Sequence, residues 1–263
     1  MIRNYSDLTR LEMELLDRKN TVVMIPLGAT EQHGSQAPLG TDALIAETIP
    51  EHIRRELEAV DPDYPMLVFP VIPVGFSVEH LGFCGSISFK PATYYHVLYD
   101  MTESLTRHGF RKLAFLVCHG GNRPVVDTLA RQARADLGVL PFVLGSGAFS
   151  HPDVLATISE GNTFDFHGGE METSMVMAIR PSAVKLDYSE AGYKTAYEGK
   201  KAIRFSGEHA LTWMGEDFTT ADGRPIGIGG DPAGATAEKG RIILETSARE
   251  LVPALLEIRD WKV

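Results

Sequence analysis

The chain has 263 residues, 44% of them hydrophobic, enough for one large core, and 35 acidic against 25 basic residues leave a formal charge of −10. That balance argues against a nucleic-acid surface or a docking face for anionic lipid. Two cysteines are too few for a disulfide framework, no basic-then-apolar leader opens the chain and no apolar run is long enough to span a bilayer, so the expectation is one domain over residues 1–263, in the cytoplasm. Ser6 to Asp17 has the spacing of an amphipathic helix with Leu8, Leu11, Leu15 and Leu16 facing inward. The β-branched run from Thr21 to Ile25 reads as a buried strand that breaks at Pro26 and Gly28. Beyond it a polar loop carries Glu31, His33 and Asp42, three side chains able to ligate a metal. Glu31 and His33, two residues apart, project to one side of an extended segment, and Asp42 returns on the first turn of a helix read over Thr41 to Glu58, with Pro50 as a bend. A polar loop ending in a helix cap accounts for the same residues.

The pattern of strand, break, polar loop and helix then repeats, which is the signature of an α/β fold. Met66 to Val71 is a strand, broken at Pro73 and Gly75, and the loop after it holds His80, either a pocket wall or proton-transfer residue or a structural histidine. A short strand is expected at Ser86 to Phe89 and a helix over Pro91 to His108, ending at Gly109. Lys112 to Cys118 is a buried strand that runs into HGGNRP, where His119 meets the loop, Gly120 and Gly121 allow unusual backbone shapes and Pro124 starts a helix to about residue 137. After a strand at Leu140 to Leu144 and an irregular connection over 145–164 comes DFHGGEMETSMVMAI. Its His167 and Glu170, three apart, face one site if the first helical turn is already formed, whereas Glu172 points elsewhere; capping of open backbone amides is the alternative. The glycine-rich stretch over 181–240 lacks both GKS/GKT and GxGxxG, and is read as a pocket wall or subunit contact with Trp213 available to it. A helix over Ala237 to Leu256 closes the chain.

Ligands gather in the loops beyond the carboxyl ends of the strands of an open α/β sheet. Glu31, His33, Asp42, His119 and Glu170 would supply two imidazoles and three carboxylates there, a donor set suited to zinc or manganese. Metals so held deprotonate water and polarise a carbonyl, and His167 is placed to pass a proton to a leaving nitrogen. No GxSxG elbow competes. Metal-assisted hydrolysis is the reaction class expected.

In this order, PLGATEQHGSQAPLGTD, CGSISFKP, CHGGN, HGGEMETS and GGDPAGATAEKG, spread over residues 22–243, resemble the creatininase (creatinine amidohydrolase) family. The resemblance implies a three-layer α/β/α sandwich with a mostly parallel central sheet, two divalent ions (zinc and/or manganese, with iron a further option), and cleavage of carbon–nitrogen bonds in small cyclic amides or formamides. It also implies a homo-oligomer, often a hexamer, whose partner is a small-molecule amide rather than nucleic acid or membrane. Carried over by position, Glu31, His33, Asp42 and His119 are ligands with Asp42 as the bridge, and His167 is the catalytic histidine; His80, from its place in the second polar loop, is a further catalytic candidate. Creatininases follow the histidine of the HGGN position with tyrosine and a glutamate ligand, where this chain has Gly120 and Gly121; Glu170 is the expected substitute. Phe164 and Phe166 stand where tryptophan would stack on creatinine, so the pocket candidates are Gly120, Phe164, Phe166 and Trp213. The expectation is a metal-dependent amidohydrolase other than creatininase proper. Creatininase activity itself, a metal-dependent sugar isomerase or lyase, and a binding protein with a structural metal stay open.

Overall fold

Five strands, β1 (Ile2–Asn4), β2 (Val22–Leu27), β3 (Met66–Val68), β4 (Lys112–Val117) and β5 (Leu140–Gly145), pair in parallel in the order β1-β3-β2-β4-β5 in the computed structural model, which describes residues 1–162 and 164–263. Parallel strands must be covered on both faces, and β2 and β4 are buried at every position. Their side chains alternate between two cores. Val22, Met24, Ala114 and Leu116 meet helices α2 (Thr41–Val60), α6 (Glu170–Ile179) and α7 (Ala237–Asp260), while Val23, Ile25, Leu27, Leu113, Phe115 and Val117 meet α3 (Pro91–Arg107) and α4 (Arg123–Leu137). The result is a three-layer α/β/α sandwich with an all-parallel sheet.

The chain leaves β2 toward β3 on one side and later continues from β4 to β5 on the other, so the direction of winding reverses between β2 and β4. Such a reversal opens a crevice at the carboxyl ends of the two strands. Leu27 is level with Val117 and Val117 with Gly145, so the loops that follow all three strands start from one rim. Gly28 is needed there: a Cβ on it would lie 2.7 Å from the Ala43 Cα, and its absence lets the first turn of α2 sit against the end of β2.

Three local expectations change. The first helix, α1 (Arg10–Leu15), begins only at Arg10, capped by Thr9 with Glu12, after a separate turn over Tyr5–Asp7. That shift of phase leaves Leu11 and Leu15 exposed and turns Leu8, Met13 and Leu16 to the core. Residues 86–89 make one bridge, Ile87 with Thr30, in place of a strand. A short helix, α5 (Pro152–Leu155), interrupts the connection expected to be irregular. Both cysteines are free, Cys84 exposed and Cys118 buried, and among the described residues no helix is long and apolar enough to cross a membrane.

Candidate metal centre

The rim of the crevice is tied together by Asn122, whose Nδ2 donates to Gly28 O (2.9 Å) and whose Oδ1 accepts from Phe76 N (2.9 Å). One side chain thus fixes the loops after β2, β3 and β4 to one another. Within this frame Glu31, His33, Asp42, His80, His119 and His167 are all buried. The Ser77 hydroxyl donates to Glu31 Oε2, which leaves Oε1 facing the other groups.

Each imidazole is oriented by a hydrogen bond on its far side, the usual support of a metal-ligating histidine. His119 donates from Nε2 to Phe76 O (3.0 Å), so its Nδ1 lies 3.2 Å from Glu31 Oε1 and 3.5 Å from Asp42 Oδ2. His33 donates from Nδ1 to Glu31 O (3.2 Å), so its Nε2 lies 3.5 Å from Asp42 Oδ1 and 3.6 Å from Glu172 Oε2. The two oxygens of Asp42 therefore look toward two donor sets, Glu31 with His119 and His33 with Glu172. His167 Nδ1 is 3.7 Å from Glu31 Oε1 and His80 Nε2 is 3.6 Å from the same oxygen, with the two rings stacked at 4.0 Å.

Burial of three carboxylates in one place is costly unless positive charge accompanies them. Burial raises Glu31 to about 7 and Glu172 to about 7. For His33 burial opposes the charged form, but Asp42, Glu172 and Glu31 overcome it and raise its pKa to about 10; His119 is held well above its usual value by Glu31 against the same opposition. His167 and His80 are pushed down by burial and by the neighbouring imidazoles, and both stay neutral. The fit to a cation is direct: Glu31 Oε1, His33 Nε2 and Asp42 Oδ2 are buried, converge, and have no hydrogen-bond partner. Groups of three from Glu31, His33, Asp42, His80, His167 and Glu172 bring their donor atoms within 4.8 Å of one another. This is a site for divalent metal.

Glu170 is not in it. Its carboxylate accepts from Ser159 N (3.1 Å), Ser159 Oγ (2.8 Å) and Asn162 Nδ2 (2.9 Å) and pairs with Lys239 Nζ. The reason is where the helix begins. Helix α6 starts at Glu170, so His167 precedes it and the three-residue spacing does not place the two on one face. Glu170 and Glu172 are separated by about 200° around the helix, and it is Glu172 that turns to His33 while its Oε2 accepts from Gly168 N (2.6 Å). The capping arrangement and the site are the same carboxylate.

The centre forms one wall of a cavity of about 440 Å³. Gly120, Phe166 and Trp213 line it, together with Phe149, Met171 and Arg123. Phe164 does not: it lies behind Phe166 (6.1 Å between ring centres) and bounds a separate cavity, with Lys194 Nζ 4.3 Å above its ring. The aromatic wall instead pairs Phe166 with Trp213, edge to face at 5.0 Å. Arg123, the sole lysine or arginine among the described lining residues, carried no recognisable signal beyond its place after HGGN.

The chain matches the model of the Creatininase family, described as creatinine amidohydrolase, over residues 6–255. It is 33% identical over 226 residues to a mycofactocin precursor peptide peptidase of Mycobacterium ulcerans (strain Agy99), covering 84% of this chain and 79% of that one. A crystal structure of a putative creatinine amidohydrolase from Bacteroides fragilis NCTC 9343 superposes with a TM-score of 0.76 at 25% identity, over 100% of this chain and 98% of the other. A structure of creatininase with manganese superposes at 0.73 and 25% identity, over 96% and 97%. With this fold, these motifs in this order and a buried donor cluster at the switch point of the sheet, the chain belongs to the creatininase family.

Proposed function

We propose that the chain hydrolyses an amide carbon–nitrogen bond at a centre of two divalent ions, zinc or manganese, held by Glu31, His33, Asp42, His119 and Glu172. The observation that carries this reading is the convergence of unpartnered buried donor atoms on one wall of an open cavity. Divalent metal bound there lowers the pKa of water to about 7 and polarises the amide carbonyl. His167 is neutral and keeps its Nδ1 toward Glu31, so it takes the proton that water loses as the new carbon–oxygen bond forms and returns it to the nitrogen as the carbon–nitrogen bond breaks. Phe166, Trp213, Phe149 and Met171 receive the apolar part of the substrate, and Arg123, whose Nε pairs with Asp127, is the cation of the lining for any carboxylate it carries. The same reading takes the chain as a single cytoplasmic domain, assembled as a homo-oligomer of up to six copies.

The substrate class is a small cyclic amide or formamide. A peptide-like amide is the second reading, favoured by a cavity of about 440 Å³ and by the mycofactocin precursor peptide peptidase relative. Products from a panel of cyclic amides, formamides and short peptides, analysed by mass spectrometry after zinc or manganese loading, separate the readings. Hydrolysis adds one water and stops on chelation. A product of unchanged mass marks an isomerase, two products whose masses sum to that of the substrate without added water mark a lyase, and turnover by metal-free protein overturns the proposal.

Metal loading is expected to release protons. His33 and His119 hold protons at neutral pH in the metal-free protein and must surrender them to ligate, so affinity rises with pH until it reaches about 10, where His33 loses its proton without metal. Calorimetric titration with zinc in buffers of different ionisation enthalpy measures the number released; zero would remove these histidines from the ligand set.

A further inference from the structure

Gln32 lies between the two candidate ligands Glu31 and His33 but does not line the cavity. It is buried, and its amide orientation is determined from both ends: Nε2 donates to Gly227 O at 2.6 Å, and Oε1 accepts from Gly34 N at 2.9 Å. Gly227 makes room for this, since a Cβ there would lie 2.6 Å from Gln32 Nε2. The second amide hydrogen of Gln32 is left for His80 Nδ1, 3.0 Å away. An imidazole nitrogen that accepts a hydrogen bond carries no proton, so neutral His80 carries its proton on Nε2. That atom is buried, unpartnered and directed toward Glu31 Oε1.

The same residue fixes the second ring through its backbone. His167 Nε2 is 2.8 Å from Gln32 O, a separation that requires a proton on the nitrogen. The 3.2 Å approach of Gln32 Nε2 to His167 Nε2 is then a contact between two donors, without a hydrogen bond of its own. His167 therefore shows a bare Nδ1 to the site. Both rings are the same tautomer, but they are turned in opposite senses.

We propose that Gln32 is a positioning residue that makes the stacked His80 and His167 present one N–H donor and one bare nitrogen to the reaction centre. Two consequences follow. His80 is excluded as a metal ligand although it lies within ligating range of Glu31 and His167, because ligation through Nε2 would move its proton to Nδ1, against the amide hydrogens of Gln32. In the hydrolysis proposed above, on which this role rests, His80 Nε2–H is the neutral donor that meets the amide oxygen as it gains negative charge, and His167 is the base.

Neutron diffraction from deuterium-exchanged crystals of the zinc-loaded full chain tests the assignment without reference to turnover. Deuterium is expected on Nε2 of both rings and on neither Nδ1. Deuterium on His80 Nδ1, or zinc on His80 Nε2, overturns the proposal even if the protein is an active amidohydrolase. The role of the residue is read from Gln32→Met, which keeps the side-chain length and removes the amide. With zinc content unchanged, kcat is expected to fall about 10- to 100-fold with little change in KM, and deuterium to spread over both nitrogens of His80 while His167 is unaffected. An unchanged kcat in a folded, metal-loaded variant refutes the role. If no amide in the panel is hydrolysed, the functional reading fails by itself, and the wild-type neutron map still decides the tautomers, as it does if Gln32→Met does not fold.

Discussion

Replacing Glu172 with glutamine is expected to remove one of two metal equivalents and to lower kcat/KM by on the order of 10²- to 10³-fold, whereas Glu170→Gln should leave both metals and the chemistry in place. The two glutamates stand on opposite sides of α6. Glu172 shares His33 with Asp42 at the cavity wall, and its loss leaves His33 and one oxygen of Asp42 as the remaining donors on that side. Glu170 is instead a buried anchor between Lys239, Ser159 and Asn162, joining the start of α6 to the start of α7. Removing its charge breaks a buried pair at a cost of roughly 3 kcal/mol, or about 10 °C in Tm for a chain of this size. Metal analysis and thermal melting of the two variants distinguish the roles. Loss of metal in Glu170→Gln, with Glu172→Gln fully loaded, would return the ligand to the position first expected.

Asp42→Asn should have the larger chemical effect, because both ions are expected to depend on it. Its Oδ1 faces His33 and its Oδ2 faces His119, and it sits in the first turn of α2, where the helix N-terminus favours a carboxylate. An amide offers one neutral oxygen in place of two charged ones. Both metal equivalents should be lost and turnover lowered by roughly 10³-fold, about 4 kcal/mol of transition-state stabilisation. His33→Ala, which touches one donor set, should retain a single equivalent. Metal counting by mass spectrometry on folded protein separates these outcomes; a fully loaded Asp42→Asn variant would dismiss the bridge.

Much of this architecture is legible in the chain because it is local. Runs such as VVMIPL and KLAFLV are apolar at every position, and a strand covered on both faces has to be, so β2 and β4 and the helices after them could be read directly. Strand β1 could not: three residues on an edge carry no periodicity. Leu11 and Leu15 misled because the phase of α1 depends on its starting residue, which Thr9 and Glu12 determine.

The site divides along the same line. Glu31, His33 and Asp42 lie in one loop and the helix turn after it, and their meeting follows from short-range geometry. His119 joins them because β4 is level with β2, which the sequence implied only as two strands of similar character. The choice between Glu170 and Glu172 depends on where α6 begins, and the loss of Phe164 from the cavity wall, where Phe166 and Trp213 remain, on how the 205–230 segment folds back over residues 164–167. By itself the sequence determined the alternation of strands and helices and the loop that carries the first ligand candidates, because each is encoded in residues close together in the chain. Only the tertiary structure decided which third carboxylate faces the centre, which aromatics line the cavity and which nitrogen of each histidine is turned to it. Those depend on helix phase and on hydrogen bonds between groups far apart in sequence, such as Gln32 with Gly227 and Asn122 with Gly28.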